Sequence, residues 1–262
     1  MKAEGSARHH LTHIRDLVRV LVARDLKLRY KRSFLGVLWS LLNPLLQLLV
    51  FYFVFCFLLP VSTEHFATFL FTGLLAWNWF SSSLQSGCGA ITDHASLVRQ
   101  PGFVPDVLPL VTVLSNLLHF LVALPIVFAV MLLVGRPPDI PLLFLPLIIA
   151  VQFLLTLSLV YALAAIHVTF RDTQYLVTAF LLLGFYLSPI LYSVSTVPAR
   201  FRWVYTLNPL APILEGYRQI LIRNEYPDGR SLFYVGVFAV AILSITYSLF
   251  SRASHSFVEE IG

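Results

Sequence analysis

Long apolar segments separated by short polar ones recur along this chain from about residue 34 onward. The clearest runs exceed the roughly 18 residues that mark a helix crossing a bilayer. Because lipid offers no hydrogen-bond partner to an open strand edge or a loop, such runs predict helices. The pattern predicts an all-α integral membrane protein with six transmembrane helices, near 34–59, 66–86, 107–134, 141–166, 174–192 and 232–251.

Prolines and turns refine these spans. At a rise of 1.5 Å per residue the first span would reach about 39 Å, which is longer than the hydrocarbon core, so we expect a tilt or a kink near Pro44. A second kink is expected at Pro125 in the third span. The short turn at 135–139 makes the third and fourth spans antiparallel neighbours.

Residues 1–33 form a polar, basic arm ahead of a six-span domain that covers 34–262. Arg15 and Arg19 lie away from an apolar stripe on the arm, which is typical of an amphipathic helix in the membrane interface. The stripe consists of Leu11, Ile14, Leu17, Val18, Leu21 and Val22. A solvated basic arm is the alternative, because Val20 falls off the stripe.

Two polar segments interrupt the spans. The linker 87–105 carries Asp93 and Arg99 and is too polar to remain in lipid, so we expect it at a surface. The segment 193–231 mixes apolar clusters with prolines and arginines, and residues 212–222 show helical spacing. It predicts one or two short re-entrant helices in the outer half of the membrane. An ordinary surface loop with an interfacial helix is the alternative.

Composition and charge agree with a membrane protein and set its orientation. Apolar residues make up 58% of the chain and charged residues only 12%, against about 25% charged in a soluble domain. Of the 18 Lys and Arg residues, 9 lie within the first 33 positions. The positive-inside rule then predicts a cytoplasmic N-terminus, and an even number of spans returns the C-terminus to the same side. No polar domain is present that would favour nucleic-acid binding.

The motifs of catalysis are missing from the sequence. It contains no G-x-x-x-x-G-K-[ST], no H-E-x-x-H and no G-x-S-x-G. We therefore predict no catalytic residues and no enzyme, and ATP-driven work would need a second polypeptide. His9, His10 and His13 could ligate a metal, but histidines in a basic arm are usually solvated, so no metal is predicted. His119 and His167 are the ionisable groups deep in the spans, which argues against ion-coupled transport.

Several short motifs occur in order along the chain. They are Arg24-Asp25-Leu26-Lys27-Leu28-Arg29-Tyr30-Lys31 with Ser33, Gly36, Trp39 and Pro44; Leu97-Val98-Arg99 with Phe103, Pro105 and Leu108-Pro109; and Phe170-Arg171-Asp172 with Ser188-Pro189-Ile190-Leu191-Tyr192, Val197-Pro198 and Leu207-Asn208-Pro209. Together they resemble the membrane subunits of type-2 ABC exporters. Within that class the chain is most similar to exporters of O-antigen, teichoic acid, lipopolysaccharide and capsule-like glycans.

This resemblance implies partners and a location. The chain would be a permease that forms a homodimer around a path on a two-fold axis, with two copies of a separate ATPase bound below. ATP and Mg would be bound by that ATPase, and this chain would hold no cofactor. The substrate would be a polyprenyl-linked glycan. The dimer would lie in the bacterial cytoplasmic (inner) membrane, with membrane lipid around it and no nucleic acid as partner.

The resemblance also implies residue roles. Contact with the ATPase would fall to the arm, to the linker 87–105 as a coupling helix, and to a second cytoplasmic turn, through Arg24, Asp25, Lys27, Arg29, Tyr30, Arg99, Pro105, Arg171 and Asp172. The channel and an extracytoplasmic gate at 193–231 would involve Tyr52, Phe53, Trp77, Trp79, Phe185, Pro189, Tyr192, Asn208 and Pro209. Aromatic faces suit sugar rings, although Trp and Tyr near span ends are also typical interfacial anchors.

Other functions remain open at this point. A type-2 exporter of a small lipid, a drug or haem would share every feature above except the substrate. A membrane-embedded lipid-modifying enzyme would need clustered carboxylates or histidines near the interface, and the sequence has no such cluster. A membrane scaffold without transport is a further alternative.

Overall fold

In the computed structural model, which describes residues 2–31, 38–58, 66–133, 137 and 139–261, the chain is helical and these ranges contain no strand. The helices are α1 (Lys2–Tyr30), α2 (Leu38–Phe53, continued by a π-helical turn, Val54–Leu58), α3 (Phe66–Cys88), α4 (Ala95–Val98), α5 (Val107–Leu133), α6 (Leu145–Thr169), α7 (Thr173–Leu187), α8 (Trp203–Leu207), α9 (Leu210–Arg218, continued by a π-helical turn, Gln219–Arg223), α10 (Gly229–Ala253) and α11 (Phe257–Glu260). The all-α prediction is confirmed.

Three helical segments in the described part of the chain are long and apolar enough to cross a membrane. They are Val107–Leu132, Ile140–Thr169 and Gly229–Ala253. The protein is therefore a multi-pass membrane protein. Two shorter apolar helices, Leu41–Phe53 and Thr173–Leu187, lie where the first and fifth spans were predicted. Several predicted positions lie outside the described residues: the start of the first span at 34–37 and its last residue, 59; the last residue of the third span, 134; and residues 135, 136 and 138 of the predicted turn.

Helix α7 ends at Leu187, before the predicted end of the fifth span at Tyr192. Pro189 explains this early end. A proline disfavours helical geometry in the residue before it, and Ser188 is indeed extended, with ψ of 147°.

Helix α3 lies at the centre of the fold. It packs against α5 and α6, and α6 in turn packs along α10. Gly87 allows a close approach, because a Cβ there would lie 2.5 Å from Val160 Cγ1 on α6. A buried side-chain bond joins the same two helices, since Gln152 Nε2 donates to the Ala76 carbonyl oxygen at 2.8 Å. Such bonds are a common means of helix association in lipid.

The described part of the N-terminal arm forms one helix, α1, which packs against α5. Leu21 is buried, and Ile14, Leu17, Val18 and Val22 are partly buried against the core. The side chain of Leu11, the remaining member of the predicted stripe, lies outside the described residues. The stripe therefore faces the body of the protein, whereas its position in a membrane interface stays a prediction.

The segment 193–231 contains two short helices of different character. Helix α8 is exposed at Trp203 and Leu207, whereas α9 is largely buried and packs against α3, α6 and α10. Helical structure at 212–222 is thus confirmed. The depth of α9 in the membrane stays a prediction.

Candidate functional site

A groove runs between α2, α3 and α7. Its first part has a volume of about 550 Å³ and is almost entirely apolar. Its walls are formed by Leu46, Gln47, Val50, Phe51, Trp77, Leu181, Leu182 and Phe185. Phe51 stacks on Phe185 with ring centroids 5.9 Å apart, and Trp77 meets Phe185 edge-on at 5.9 Å. The structure thus brings together Trp77 and Phe185, two of the aromatic residues predicted to line a channel.

The second part of the groove is polar and has a volume of about 510 Å³. Its walls are formed by Ser81, Ser82, Gln85, Ser86, Asp93, Gln174 and Leu181. Leu181 lines both parts, so the two lie next to each other along α7. Gln85 Nε2 donates to Thr178 Oγ1 at 3.1 Å across the interface of α3 and α7. Hydroxyl and amide groups at one end and aromatic faces at the other suit a polyhydroxylated ligand with apolar ring faces.

Three other predicted aromatics lie away from this groove. Trp79 is only 2% exposed and stacks on Phe120 of α5 at 5.1 Å. The reason is helical phase, since two residues along a helix turn the side chain by about 200°, to the side opposite Trp77. Tyr52 and Phe53 are exposed on α2 and contact Phe57. In this structure Trp79 therefore lies away from the groove, and its role in lining a channel stays a prediction.

The residues predicted to form a gate come together beyond the end of α7. Asn208 Nδ2 donates to Ser188 Oγ at 2.9 Å, and the Leu210 N–H donates to Asn208 Oδ1 at 3.0 Å. The Tyr192 hydroxyl donates to the Tyr186 carbonyl oxygen at 2.8 Å, and it also lies 2.8 Å from the hydroxyl of Tyr205. Pro189 is buried in this turn and Pro209 caps α9. The end of α7 is thus bonded to the segment that follows it.

A second cluster gathers the linker 87–105, the α6–α7 turn and the C-terminal tail. Arg99 Nη2 donates to the Ile261 carbonyl oxygen at 2.9 Å. Thr169 Oγ1 donates to Glu260 Oε2 at 2.6 Å. Phe257 is 1% exposed and anchors α11 by an edge contact with Phe250 at 5.2 Å. The tail therefore contacts the linker 87–105, for which a coupling role was predicted, and the last residue of α6, next to the predicted coupling turn at Arg171 and Asp172.

The predicted coupling residues lie on the outside of the protein. Arg171 and Asp172 are exposed in the α6–α7 turn, and Pro105 is half-buried. On α1, Arg24 and Lys27 are exposed and Asp25 is half-buried, whereas the side chains of Arg29 and Tyr30 lie outside the described residues.

The sequence analysis did not predict that the C-terminal tail would pack against the linker 87–105 and α6. The sequence does contain a pattern that indicates this packing, since Phe257 and Ile261 are apolar residues one helical turn apart in a polar tail.

Within the described part of the chain no three His, Cys, Asp or Glu side chains are grouped closely enough to hold a metal ion. The side chains of His9, His10 and His13 lie outside that part.

Comparisons with known proteins place the sequence among membrane transporters. The family model described as ABC-2 type transporter matches residues 16–222. The chain is 36% identical over 253 residues to the O-antigen export system permease protein RfbA of Myxococcus xanthus, covering 96% of this chain and 97% of that protein. It is 32% identical over 257 residues to the protein of the same name from Klebsiella pneumoniae, with coverages of 96% and 97%. The polysialic acid transport protein KpsM of Escherichia coli is 28% identical over 242 residues, with coverages of 89% and 92%.

Proposed function

The chain belongs to the ABC-2 type transporter family, and from this premise we propose that it is the permease subunit of an ATP-driven exporter of a lipid-linked polysaccharide. The substrate is of the O-antigen kind, as the names of its relatives suggest. ATP hydrolysis belongs to a separate subunit, because this sequence has no phosphate-binding loop. Teichoic acids and capsular glycans are chemically related substrates that the same groove would suit.

The observation that carries the proposal is the groove beside α3 and α7, with its aromatic part next to its polar part. A glycan presents hydroxyl groups at the rim of each ring and C–H surfaces on its faces. The hydroxyl and amide side chains of the polar part, such as Ser82 and Gln85, would form hydrogen bonds with the sugar hydroxyl groups. The rings of Phe51, Trp77 and Phe185 would stack on the C–H faces. A lipid or haem exporter would gain little from the polar half of this groove.

A six-span topology accounts for three hydrogen bonds between segments that are distant in sequence. With the N-terminus inside, the linker 87–105, the α6–α7 turn and the C-terminal tail are all cytoplasmic, and these are the segments joined through Arg99 and Thr169. The turn near 137 and the segment 193–231 are both external, and Asn224 Nδ2 donates to the Pro137 carbonyl oxygen at 3.2 Å. Helix α3 is then a span whose side chains at Ser81, Ser82, Gln85 and Ser86 line the groove. Burial of α9 supports the interpretation of 193–231 as re-entrant.

A homodimer would turn the groove into a closed path. The groove is open on one side, and α7 exposes a further apolar surface at Phe180, Leu183 and Leu187. A second copy related by a two-fold axis, the commonest symmetry of homo-oligomers, would cover both copies of the groove at once. The polyprenyl lipid would remain in the bilayer while the sugars pass along the axis.

Coupling to the ATPase would use the cytoplasmic cluster. Two copies of the ATPase would bind the linker 87–105, the turn at Arg171 and Asp172, and the cytoplasmic arm. Closure of the ATPase dimer on ATP would displace these segments, and α2 and α7 would move with them. Because α11 bonds to the linker and lies beside the α6–α7 turn, we expect these two segments to move together.

Deletion of the gene in its own host tests this function. Loss of surface glycan with accumulation of lipid-linked polymer inside the cell is the expected result, and complementation with the gene should restore export. Unchanged surface glycan together with new sensitivity to a drug or to haem would instead assign a small-molecule substrate.

Two further experiments test the partner and the topology. Co-purification of an ATPase with the tagged chain in mild detergent tests the partner. Labelling of single cysteines in the tail and at 193–231 tests the topology in the bacterial inner membrane.

A further inference from the structure

Arg218, near the end of α9, is a cation buried inside the protein. Its side chain is 2% exposed, and its Cζ lies 3.5 Å from the centroid of the Phe69 ring on α3. Nη2 donates to the Ile190 carbonyl oxygen at 3.0 Å, and Nε has no hydrogen-bond partner among the described residues. The neighbouring Glu215 pairs with Arg223 instead.

Stability alone does not account for an arginine at this position. Within the described ranges no carboxylate forms an ion pair with Arg218. Burying a cation without a counter-ion is unfavourable both in a protein interior and in a bilayer, and an apolar side chain of the same length would usually be cheaper to bury. What distinguishes the arginine from such a side chain is the set of contacts that its guanidinium makes.

Those contacts converge on the turn that ends α7. Ile190 belongs to this turn, in which its N–H donates to the Ser188 carbonyl oxygen at 2.7 Å. Ser188 also accepts the bond from Asn208. The turn is therefore held at two points, by a neutral bond at Ser188 and by a charged bond at Ile190.

Gly73 of α3 completes this arrangement. A Cβ at this position would lie 3.1 Å from Arg218 Nη2 and 3.3 Å from the Ile190 carbonyl oxygen. The glycine thus lets the arginine and the turn approach the backbone of α3 together. A planar guanidinium can lie over the Phe69 ring and still donate in its own plane, which a lysine ammonium cannot do in the same way.

We infer that Arg218 is a positioning residue that fixes the outer end of α7 against α3. The inference rests on the proposed export function, because α7 supplies Leu181, Leu182 and Phe185 to the groove. The charged bond at Ile190 sets the distance between α7 and α3, and so the width of the aromatic end of the groove. Loss of this bond frees the turn without removing any groove residue.

Three variants test this role. R218M removes the charge and keeps the length of the side chain, R218K keeps a donor and loses the planar stacking, and R223M is the matched control. Arg223 lies on the same segment but is exposed and paired with Glu215 and Glu225. For each variant, three quantities are measured: thermal unfolding, hydrogen exchange at the amides of residues 188–192 other than Pro189, which has no N–H, and glycan exported per ATP hydrolysed by the complex with its ATPase.

The expected result separates positioning from folding. R218M should unfold at the same or a higher temperature than wild type, since a buried charge without an ion-pair partner is removed. Its amides at 188–192 should exchange about tenfold faster, because a hydrogen bond from a charged group is lost. Export per ATP should fall by a similar factor, R218K should be intermediate, and R223M should match wild type.

Wild-type exchange at 188–192 in R218M would overturn the inference. So would a loss of export that merely follows a lower unfolding temperature, since this would indicate an ordinary structural role. Exchange and unfolding are measured on the purified chain and do not depend on its cargo. A wild-type complex that exports no glycan would thus refute the proposed function, while the exchange data would still decide the role of Arg218.

Discussion

The indole ring of Trp77 lies against the backbone of Gly184, where α3 and α7 meet beside the groove. A Cβ at position 184 would stand 3.1 Å from Trp77 Cη2. Trp77 cannot easily withdraw, because it is buried and contacts the rings of Phe80 and Phe185. The absence of a side chain at Gly184 therefore sets how near α7 comes to α3.

We expect G184A to widen the groove rather than to stabilise its helix. Alanine inside a helix normally gains about 0.5–1 kcal/mol over glycine. At Gly236 of α10 that gain should be realised, because a Cβ there would meet only Val151 at an ordinary 3.8 Å. Thermal unfolding should therefore show a higher Tm for G236A but not for G184A, and only G184A should lower glycan export. Equal stabilisation by both variants would show that the Trp77 ring moves to make room for the methyl group added at position 184.

The contact between Gly87 and Val160 predicts a compensating pair. G87A places a Cβ 2.5 Å from Val160 Cγ1, and overpacking of this kind costs about 1–3 kcal/mol. V160A alone should cost somewhat less, by loss of packing. In the double variant the two changes should compensate, so that its Tm lies above that of G87A. Strictly additive losses in this double-mutant cycle would contradict the close approach of α3 and α6.

The C-terminal helix should depend on one aromatic side chain. F257A removes a fully buried ring that contacts Phe250, a change that typically costs about 3–5 kcal/mol in a core. We expect protease cleavage near residue 254 to increase and binding of the ATPase to weaken. V258A is the matched control, because Val258 is 48% exposed and its truncation should cost less than about 0.5 kcal/mol. If both variants bound the ATPase equally well, the tail would have no part in coupling.

Asp228 should give a pH-dependent contribution at the start of α10. Its carboxylate accepts from the Ser231 hydroxyl at 2.5 Å and from the Arg230 N–H at 3.1 Å. The bond from Ser231 and the backbone bonds lower the pKa of this carboxyl. A lowered pKa in the folded state contributes stability that is present above the unfolded pKa, about 3.9, and lost as the pH falls through the folded value.

D228A should therefore lower the Tm at neutral pH, by the equivalent of about 0.5–2 kcal/mol for a lost helix cap. Its difference from wild type should shrink as the pH is brought below about 3.9. D172A provides the comparison, since Asp172 precedes α7 without a side-chain capping bond. A difference between D228A and wild type that is independent of pH would mean that the charge of Asp228 does not contribute.

Apolar periodicity was sufficient to predict the helical class and most helix positions, because span length depends on local composition. Apolar periodicity could not predict which faces of the helices pack against each other. Trp77 and Trp79 look equivalent in the sequence, yet the packing of α3 between α5, α6 and α7 turns one to the groove and the other to the core.

Arg218 was not predicted as a functional residue for a related reason. Hydropathy assigns arginines to water or to headgroups, and the burial of Arg218 depends on Phe69, Gly73 and Ile190, which are distant in sequence. The early end of α7 could have been predicted, since Pro189 carries that signal locally.

Reconstitution tests the central claim, that the groove of this chain carries the glycan while a partner hydrolyses ATP. The chain and its ATPase would be placed in proteoliposomes with lipid-linked glycan, and glycan protected from an added glycosidase would be measured with and without ATP. S82W obstructs the polar part of the groove, and S244W adds the same ring to the exposed face of α10. We predict ATP-dependent protection for wild type and S244W, and hydrolysis without protection for S82W. Undiminished protection in S82W would contradict the account.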